Sequence, residues 1–109
     1  MMSEQKIRVL TLHPDSKKPN MTSVSPSLEN LQRYVGGYIE VAKIAKDLVV
    51  ICDEEGRLKG KPFCCNILGV NFVGDIIIAG MKGAEFADIP ISYAEAKRYF
   101  PQLWKEERL

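Results

Sequence analysis

The sequence predicts an α+β fold: a small, mostly antiparallel sheet with two helices in a single domain that spans residues 1–109. Short runs of β-branched and apolar residues alternate with turn-forming residues along most of the chain. Two segments carry helix start signals instead, and one of them ends at a double glycine. A hydrophobic fraction of 46% and a charged fraction of 27% in 109 residues are typical of one globular domain with one core.

The composition argues against several classes of function. A net charge of +1 gives no general attraction to nucleic acid or to an anionic membrane, so we do not expect DNA binding. The N-terminus is polar as far as Lys6 and the longest apolar run is far too short to span a bilayer, so we expect neither a signal peptide nor membrane insertion. Three cysteines form no CxxC pair, which favours a reduced, cytoplasmic protein.

The N-terminal segment is predicted to form a β-hairpin. Ile7 to Leu12 is the first strand, expected to be half buried. A polar loop over residues 13–20 contains two prolines and many turn formers. Met21 to Val24 can then pair back onto the first strand.

A helix is predicted from Pro26 to Val35. Leu28, Leu31 and Val35 recur at helical spacing and make one apolar stripe. Ser25 is the predicted N-cap, because its hydroxyl can accept from an amide of the first turn. Pro26 then falls at the first helical position, where its missing N–H costs nothing.

The helix is predicted to stop at Gly36 or Gly37, either of which can take the left-handed conformation that ends a helix. A strand from Tyr38 to about Ile44 follows, because this run is rich in β-formers and places apolar residues at alternating positions. If the odd-numbered residues of this strand face the core, Tyr38 and Glu40 face the opposite way, toward solvent, a ligand or a second subunit.

Two more strands are predicted after Ile44. A turn at Lys46-Asp47 leads into Leu48–Cys52, a continuous apolar run that is typical of a strand covered on both faces. A Gly-Asp turn introduces the last predicted strand, within residues 73–80. Pro62 argues against a central strand near it, and the segment from 66 to 71 is ambiguous.

The C-terminal segment is predicted to be a second helix. Ser92 and Glu95 fit a capping box, so the helix runs from Tyr93 toward Tyr99. Pro101 ends or restarts it, and Trp104 is expected to tether the tail.

Two clusters invite a metal or catalytic interpretation, which we disfavour. The run Asp53–Gly56 lacks the alternating oxygen ligands of a calcium loop, and a solvated turn is the simpler interpretation. Cys64 and Cys65 would reach a zinc ligand set only by using every cysteine and His13, so we expect them to be small buried residues. Without a nucleophile–base pair or paired carboxylates, we expect no enzyme and no cofactor.

The remaining polar candidates could bind a ligand. Arg57, Lys59 and Lys61 form a basic stripe, which we expect to be a solvated face, with phosphate binding as the alternative. The amides of Gly36 and Gly37 could also allow a ligand to approach the backbone closely.

Three motifs resemble those of a family of small uncharacterised proteins from phages, plasmids and Gram-positive bacteria. Residues 31–40 are similar to its signature, with Leu-Gln followed by Val-Gly-Gly-Tyr-Ile-Glu. Residues 53–62 resemble its Asn-Glu-Glu-Gly-Lys-Leu-x-Gly-x-Pro-x-Asn segment, and residues 74–78 match a later Gly-Asp-hydrophobic strand. The similarity runs from about Ile7 to Phe100.

The chain departs from the family pattern at two places. Asp53 replaces the usual asparagine, and residues 63–65 lengthen the step before Asn66. The resemblance implies a mobile-element accessory protein in a bacterial host cell, a context in which short proteins often counter host defence.

We therefore expect a non-enzymatic anti-defence protein that sequesters a small nucleotide signal and forms a homo-oligomer. Backbone amides and arginine would hold phosphates, tyrosine would stack on a base and glutamate would accept from ribose hydroxyls. The alternative is a protein-interaction module that inhibits a host enzyme through its sheet edge or its terminal helix. The candidate ligand-binding residues are Arg33, Gly36, Gly37, Tyr38, Glu40, Arg57, Lys61 and Asn66.

Overall fold

The fold combines an antiparallel sheet with two α-helices. The computed structural model describes residues 5–105. In chain order their elements are β1 (Ile7–Leu12), β2 (Asn20–Val24), α1 (Leu28–Val35), β3 (Ile39–Ala45), β4 (Leu48–Asp53), β5 (Phe63–Ile67), β6 (Val70–Val73), β7 (Ile76–Lys82), β8 (Glu85–Ala87), α2 (Tyr93–Tyr99) and a 3-10 helix at Pro101–Leu103. The predicted α+β class, with a mostly antiparallel sheet and two helices, is confirmed.

The main sheet has the strand order β2-β1-β7-β4-β3, and β8 pairs with the end of β7. Each of these pairs is antiparallel. The continuous apolar run in β4 is buried at every residue, as predicted for a strand covered on both faces. β2 and β3 are the two edges of the strand order.

Each face of the sheet carries its own apolar cluster. Helix α1 covers one face with Leu31 and Val35, which pack among residues of β1, β4 and β7. The other face is covered by the β5–β6 hairpin, α2 and Trp104. Because β1 is covered on both faces, five of its six residues are buried, and the prediction that it is half buried is wrong.

The predicted start of α1 is two residues too early. The N-cap is Ser27, whose hydroxyl accepts from the amide of Asn30 at 3.2 Å. The Ser25 hydroxyl instead accepts from the amide of Ser27, so Pro26 lies before the cap rather than inside the helix. The end of the helix is confirmed, because Gly36 takes the left-handed conformation with φ of 83°.

The β5–β6 hairpin and β8 are the elements that the sequence did not predict. The hairpin turns at Leu68-Gly69, both with positive φ, at 51° and 85°. Leucine rarely adopts such a conformation, so this turn has no strong signature. At the C-terminus the capping box on Ser92 is confirmed, and Trp104, which was expected to tether the tail, is buried in the apolar cluster.

Candidate functional site

The double glycine closes α1 with its own amides. The amides of Gly36 and Gly37 both donate to the carbonyl of Gln32, at 2.8 and 3.1 Å. They are therefore occupied within the fold and do not point toward a ligand. This is the expected hydrogen-bonding of a helix that ends in the left-handed conformation.

Two lysines meet a buried carboxylate beside this helix end. Lys59 and Lys61 each place Nζ 2.8 Å from Oδ2 of Asp53. Lys59 also donates to the carbonyl of Gly36 at 3.1 Å, and Lys61 donates to the carbonyl of Val35 at 2.6 Å. We call Asp53, Lys59 and Lys61 the lysine–aspartate cluster. It places positive charge where the helix dipole favours a cation and ties the loop after β4 to α1.

The lysine–aspartate cluster changes the interpretation of the acidic run Asp53–Gly56. The side chain of Asp53 is only 1% exposed, so the prediction of a solvated turn is wrong at this residue. Burial alone would raise the pKa of Asp53, but the hydrogen bonds from both lysines and from the amide of Glu55 outweigh it and hold the pKa well below its usual range. The bond to Asp53 raises the pKa of Lys59 in turn. The basic stripe is thus partly neutralised by an internal partner.

Two other candidate residues make local contacts elsewhere. Arg33 pairs with Glu29 one turn earlier on α1, at 3.5 Å, and both side chains are exposed. Asn66 donates to the side chain of Asn71 at 2.7 Å and accepts from the amide of Gly69 at 3.1 Å, so it closes the β5–β6 turn. Neither contact places these residues at the double glycine.

Glu40 and Arg57 share a cleft of about 220 Å³ between β3 and the β5–β6 hairpin. Arg57 donates to the backbone carbonyl of Asn71 at 2.7 Å, which fixes the guanidinium against β6. Tyr38 stands exposed just before β3, with 68% of its surface accessible. The lining residues are Glu40, Ala42, Cys52, Asp53, Glu54, Gly56, Arg57, Leu58, Val70, Asn71, Phe72 and Val73.

The cleft lies at the edge of the sheet. The thiol of Cys64 in β5 contacts the carbonyl of Leu12 in β1 at 3.8 Å, so β5 lies over the β1 side of the sheet. Residues of both β6 and β3 line the cleft. The cleft therefore lies on the β6 side of the hairpin, over β3 and the adjacent end of β4.

The cysteines do not supply a reactive group to this cleft. Burial, with the negative charges of Glu40 and Asp53, raises the pKa of Cys52 to about 11, so its thiol stays protonated at neutral pH. Cys64 and Cys65 are buried in the apolar cluster, as predicted. Within residues 5–105, no group of three or more histidine, cysteine, aspartate or glutamate side chains could hold a metal ion.

The wall of the cleft includes residues that the sequence did not single out. Leu58, Val70 and Phe72 supply its apolar surface, and Asn71 anchors Arg57. The sequence did carry a signal for the loop that contains Leu58, because charged residues are concentrated between residues 53 and 61. The sequence carried no comparable signal for β6, because the short apolar run of this strand is interrupted by Asn71 and follows an unusual turn.

The fold and the cleft define a small α+β protein with a cleft of mixed charged and apolar lining at one edge of an antiparallel sheet. The chain belongs to the DUF3846 family, described as a domain of unknown function, whose family model matches residues 7–103. This confirms the predicted membership of an uncharacterised family. No curated protein and no solved structure matches the chain. None of the helices in the described part of the chain is long and apolar enough to cross a membrane.

Proposed function

We propose that this chain is a non-enzymatic binding protein that sequesters a small nucleotide in the cleft between β3 and the β5–β6 hairpin. One observation carries the proposal. Glu40 and Arg57, which belong to different elements, line the same cleft. A carboxylate and a guanidinium at one concave, partly apolar site form the type of arrangement that orients a polar ligand.

Each part of the cleft has a chemical role in this proposal. Leu58, Val70 and Phe72 supply an apolar wall for a nucleobase. The Glu40 carboxylate accepts from ribose hydroxyls or a base amino group, and Arg57 binds a phosphate oxygen. Because Arg57 is already held by the carbonyl of Asn71, its remaining N–H groups are oriented before the ligand arrives.

Charge and size restrict the ligand. Arg57 is the only cation among the lining residues of this cleft, all of which lie in the described range. Lys59 and Lys61 lie close by but share the carboxylate of Asp53. A volume of about 220 Å³ is below the roughly 300–1,000 Å³ of a typical ligand pocket, so one copy of the chain accommodates about one nucleobase. We therefore favour a ligand with few phosphates.

The proposal predicts that Glu40→Ala weakens nucleotide binding. Loss of a charged hydrogen-bond acceptor is expected to raise the Kd by about tenfold or more. The measurement is isothermal titration calorimetry with cyclic mononucleotides and cyclic dinucleotides. Glu85→Ala removes an exposed glutamate from β8 and is the matched control, for which we expect an unchanged Kd. The absence of heat from every nucleotide with the wild-type protein would contradict the proposal, as would equal affinity of the Glu40 variant.

A direct protein-interaction module is the second candidate, and exposed apolar side chains near the hairpin favour it. Leu58 in the loop is 87% exposed, Leu68 at the hairpin turn is 66% exposed and Phe63 is 56% exposed. Large apolar side chains left in water are a common feature of a surface that binds a protein.

This second candidate predicts that a double Leu58→Ser, Leu68→Ser variant loses a protein partner. The measurement is a pull-down from bacterial lysate, in which the wild-type chain recovers one stoichiometric protein and the double variant does not. Leu28→Ser is the control, because Leu28 is 57% exposed but lies on α1, over the other face of the sheet. Equal recovery by the double variant would exclude this surface.

A further inference from the structure

The outer edge of β3 has unpaired backbone groups. β3 is the last strand in the order of the sheet, and among the described residues it pairs with β4 alone. Val41, in the middle of this edge, is 39% exposed. Open edges of this kind accept a further strand when their shape and charge allow it.

Two backbone hydrogen bonds establish which residues of β3 direct their N–H and C=O groups away from β4. The amide of Glu54 donates to the carbonyl of Tyr38 at 2.9 Å, in the same register as the β3–β4 ladder. Because bonded and non-bonded positions alternate in an antiparallel ladder, Glu40 and Ala42 also bond to β4. The amide of Met81 donates to the carbonyl of Asp47 at 3.1 Å, which places the odd-numbered positions of β4 on β7 and agrees with this assignment.

The backbone groups of Ile39, Val41 and Lys43 therefore face away from β4. We propose that this edge binds the same edge of a second copy of the chain, antiparallel, with a twofold axis beside Val41. In this register Val41 lies opposite Val41 of the partner subunit, and Ile39 lies opposite Lys43 of the partner subunit. All the outward N–H and C=O groups of these three residues then form backbone bonds across the interface.

Charge and hydrogen bonding disfavour the neighbouring registers. A shift by one pair in one direction places Glu40 opposite Glu40 of the partner subunit, and like charges directly opposite are destabilising. A shift in the other direction leaves the outward groups of Ile39 without a partner. A further shift in that direction places Lys43 opposite its own counterpart.

The rest of the edge is compatible with a second copy of the chain. The net charge of +1 produces little repulsion between copies. The ladder between β3 and β4 is irregular between Lys43 and Ala45, so pairing ends naturally at Lys43. The Val41 side chains become buried against each other on the face that α1 covers.

The dimer also completes the cleft. Glu40 and Ala42 lie on the face of β3 opposite to Val41, where they line the cleft on this edge strand. The twofold axis brings the two clefts together on one face of a continuous sheet, with the two Glu40 side chains on a diagonal. Two volumes of about 220 Å³ then adjoin, which is enough for a ligand of ordinary size. The dimer itself goes beyond the proposed function and does not depend on the identity of the ligand.

Sedimentation equilibrium of the wild-type protein and of Val41→Pro tests the dimer. Proline at Val41 removes an outward amide that no bond within the fold uses, so the strand pairing with β4 is retained. The wild-type protein is expected to sediment as a dimer at about 100 micromolar, and the variant as a monomer with an unchanged far-ultraviolet circular dichroism spectrum. A monomeric wild-type protein, or a folded variant that remains a dimer, would overturn the inference.

Disulfide cross-linking gives a second test that does not depend on how proline is tolerated. Facing residues at a bonded antiparallel position have Cα atoms about 5.5 Å apart, a separation that a disulfide can bridge. Val41→Cys is therefore expected to form a covalent dimer on mild oxidation. Ser23→Cys, on the opposite edge strand β2, is the control and is expected to stay monomeric. Equal cross-linking of the two variants would overturn the inference, whereas the nucleotide titration tests the proposed function separately.

Discussion

The free energy of unfolding is expected to fall by about 3 kcal/mol when Asp53 is replaced by alanine. The carboxylate is 1% exposed and forms ion pairs with both Lys59 and Lys61. Removing one member of a buried ion pair typically costs 3–5 kcal/mol, because the other charge is left without its partner. We expect the lower end of that range, because the lysine side chains are 39% and 23% exposed and can turn toward water. The measurement is urea unfolding followed by circular dichroism.

Glu55→Ala is the matched control for this variant. Glu55 is an exposed acidic residue in the same turn, and its backbone amide, which donates to Asp53, is retained. We expect it to change the free energy of unfolding by less than about 0.5 kcal/mol. If Asp53→Ala were as mild as this control, the lysine–aspartate cluster would not hold the loop to α1.

The lysine–aspartate cluster also makes the free energy of unfolding depend on pH in the acid range. The pKa of Asp53 is lower in the folded protein than in the unfolded chain, where an aspartate has a pKa of about 3.9. The stabilisation that ionised Asp53 gives to the folded protein is therefore present above about pH 4, and it is lost as the pH falls toward the pKa of Asp53 in the folded protein. Unfolding curves measured between neutral and acid pH should show this loss in the wild-type protein and a smaller loss in Asp53→Ala.

Local signals predicted most of the fold. The apolar run of β4, the glycine that ends α1 and the capping box on Ser92 are each defined by neighbouring residues, and each was placed correctly. The start of α1 was misplaced because Ser25 and Ser27 are equally good caps and only the path of the chain selects between them. The β5–β6 hairpin was missed because Leu68 occupies a conformation that leucine rarely adopts.

The arrangement of the site depended on long-range contacts that the sequence does not display. Asp53 looked like one member of a solvated turn, because nothing local indicates that Lys59 and Lys61 fold back onto it. The same two lysines reach the carbonyls of α1, more than twenty residues earlier in the chain. Glu40 and Arg57 were both predicted as ligand-binding residues, but only the packing of the hairpin shows that they line one cleft.

Gly80→Ala is expected to lower the free energy of unfolding by about 3 kcal/mol, the upper part of the range for overpacking. A Cβ at Gly80 would overlap the carbonyl oxygen of Asp88 and lie 3.2 Å from the carbonyl oxygen of Ala87. These are backbone atoms, which cannot rotate away as a flexible side chain can. The segment is also anchored to β1, because Asp88 accepts from the amide of Arg8 at 2.8 Å and the amide of Ile89 donates to the carbonyl of Arg8 at 2.7 Å.

Gly83→Ala separates this steric effect from the loss of a flexible residue. Gly83 has a φ of 62° and no atom within 4 Å of an added Cβ, so alanine there introduces backbone strain of about 1–2 kcal/mol without a clash. Urea unfolding of the two variants should therefore show a larger loss for Gly80→Ala. A loss at Gly80 no greater than that at Gly83 would mean that the segment after β8 moves aside, and its two bonds to Arg8 could not be the restraint that we infer.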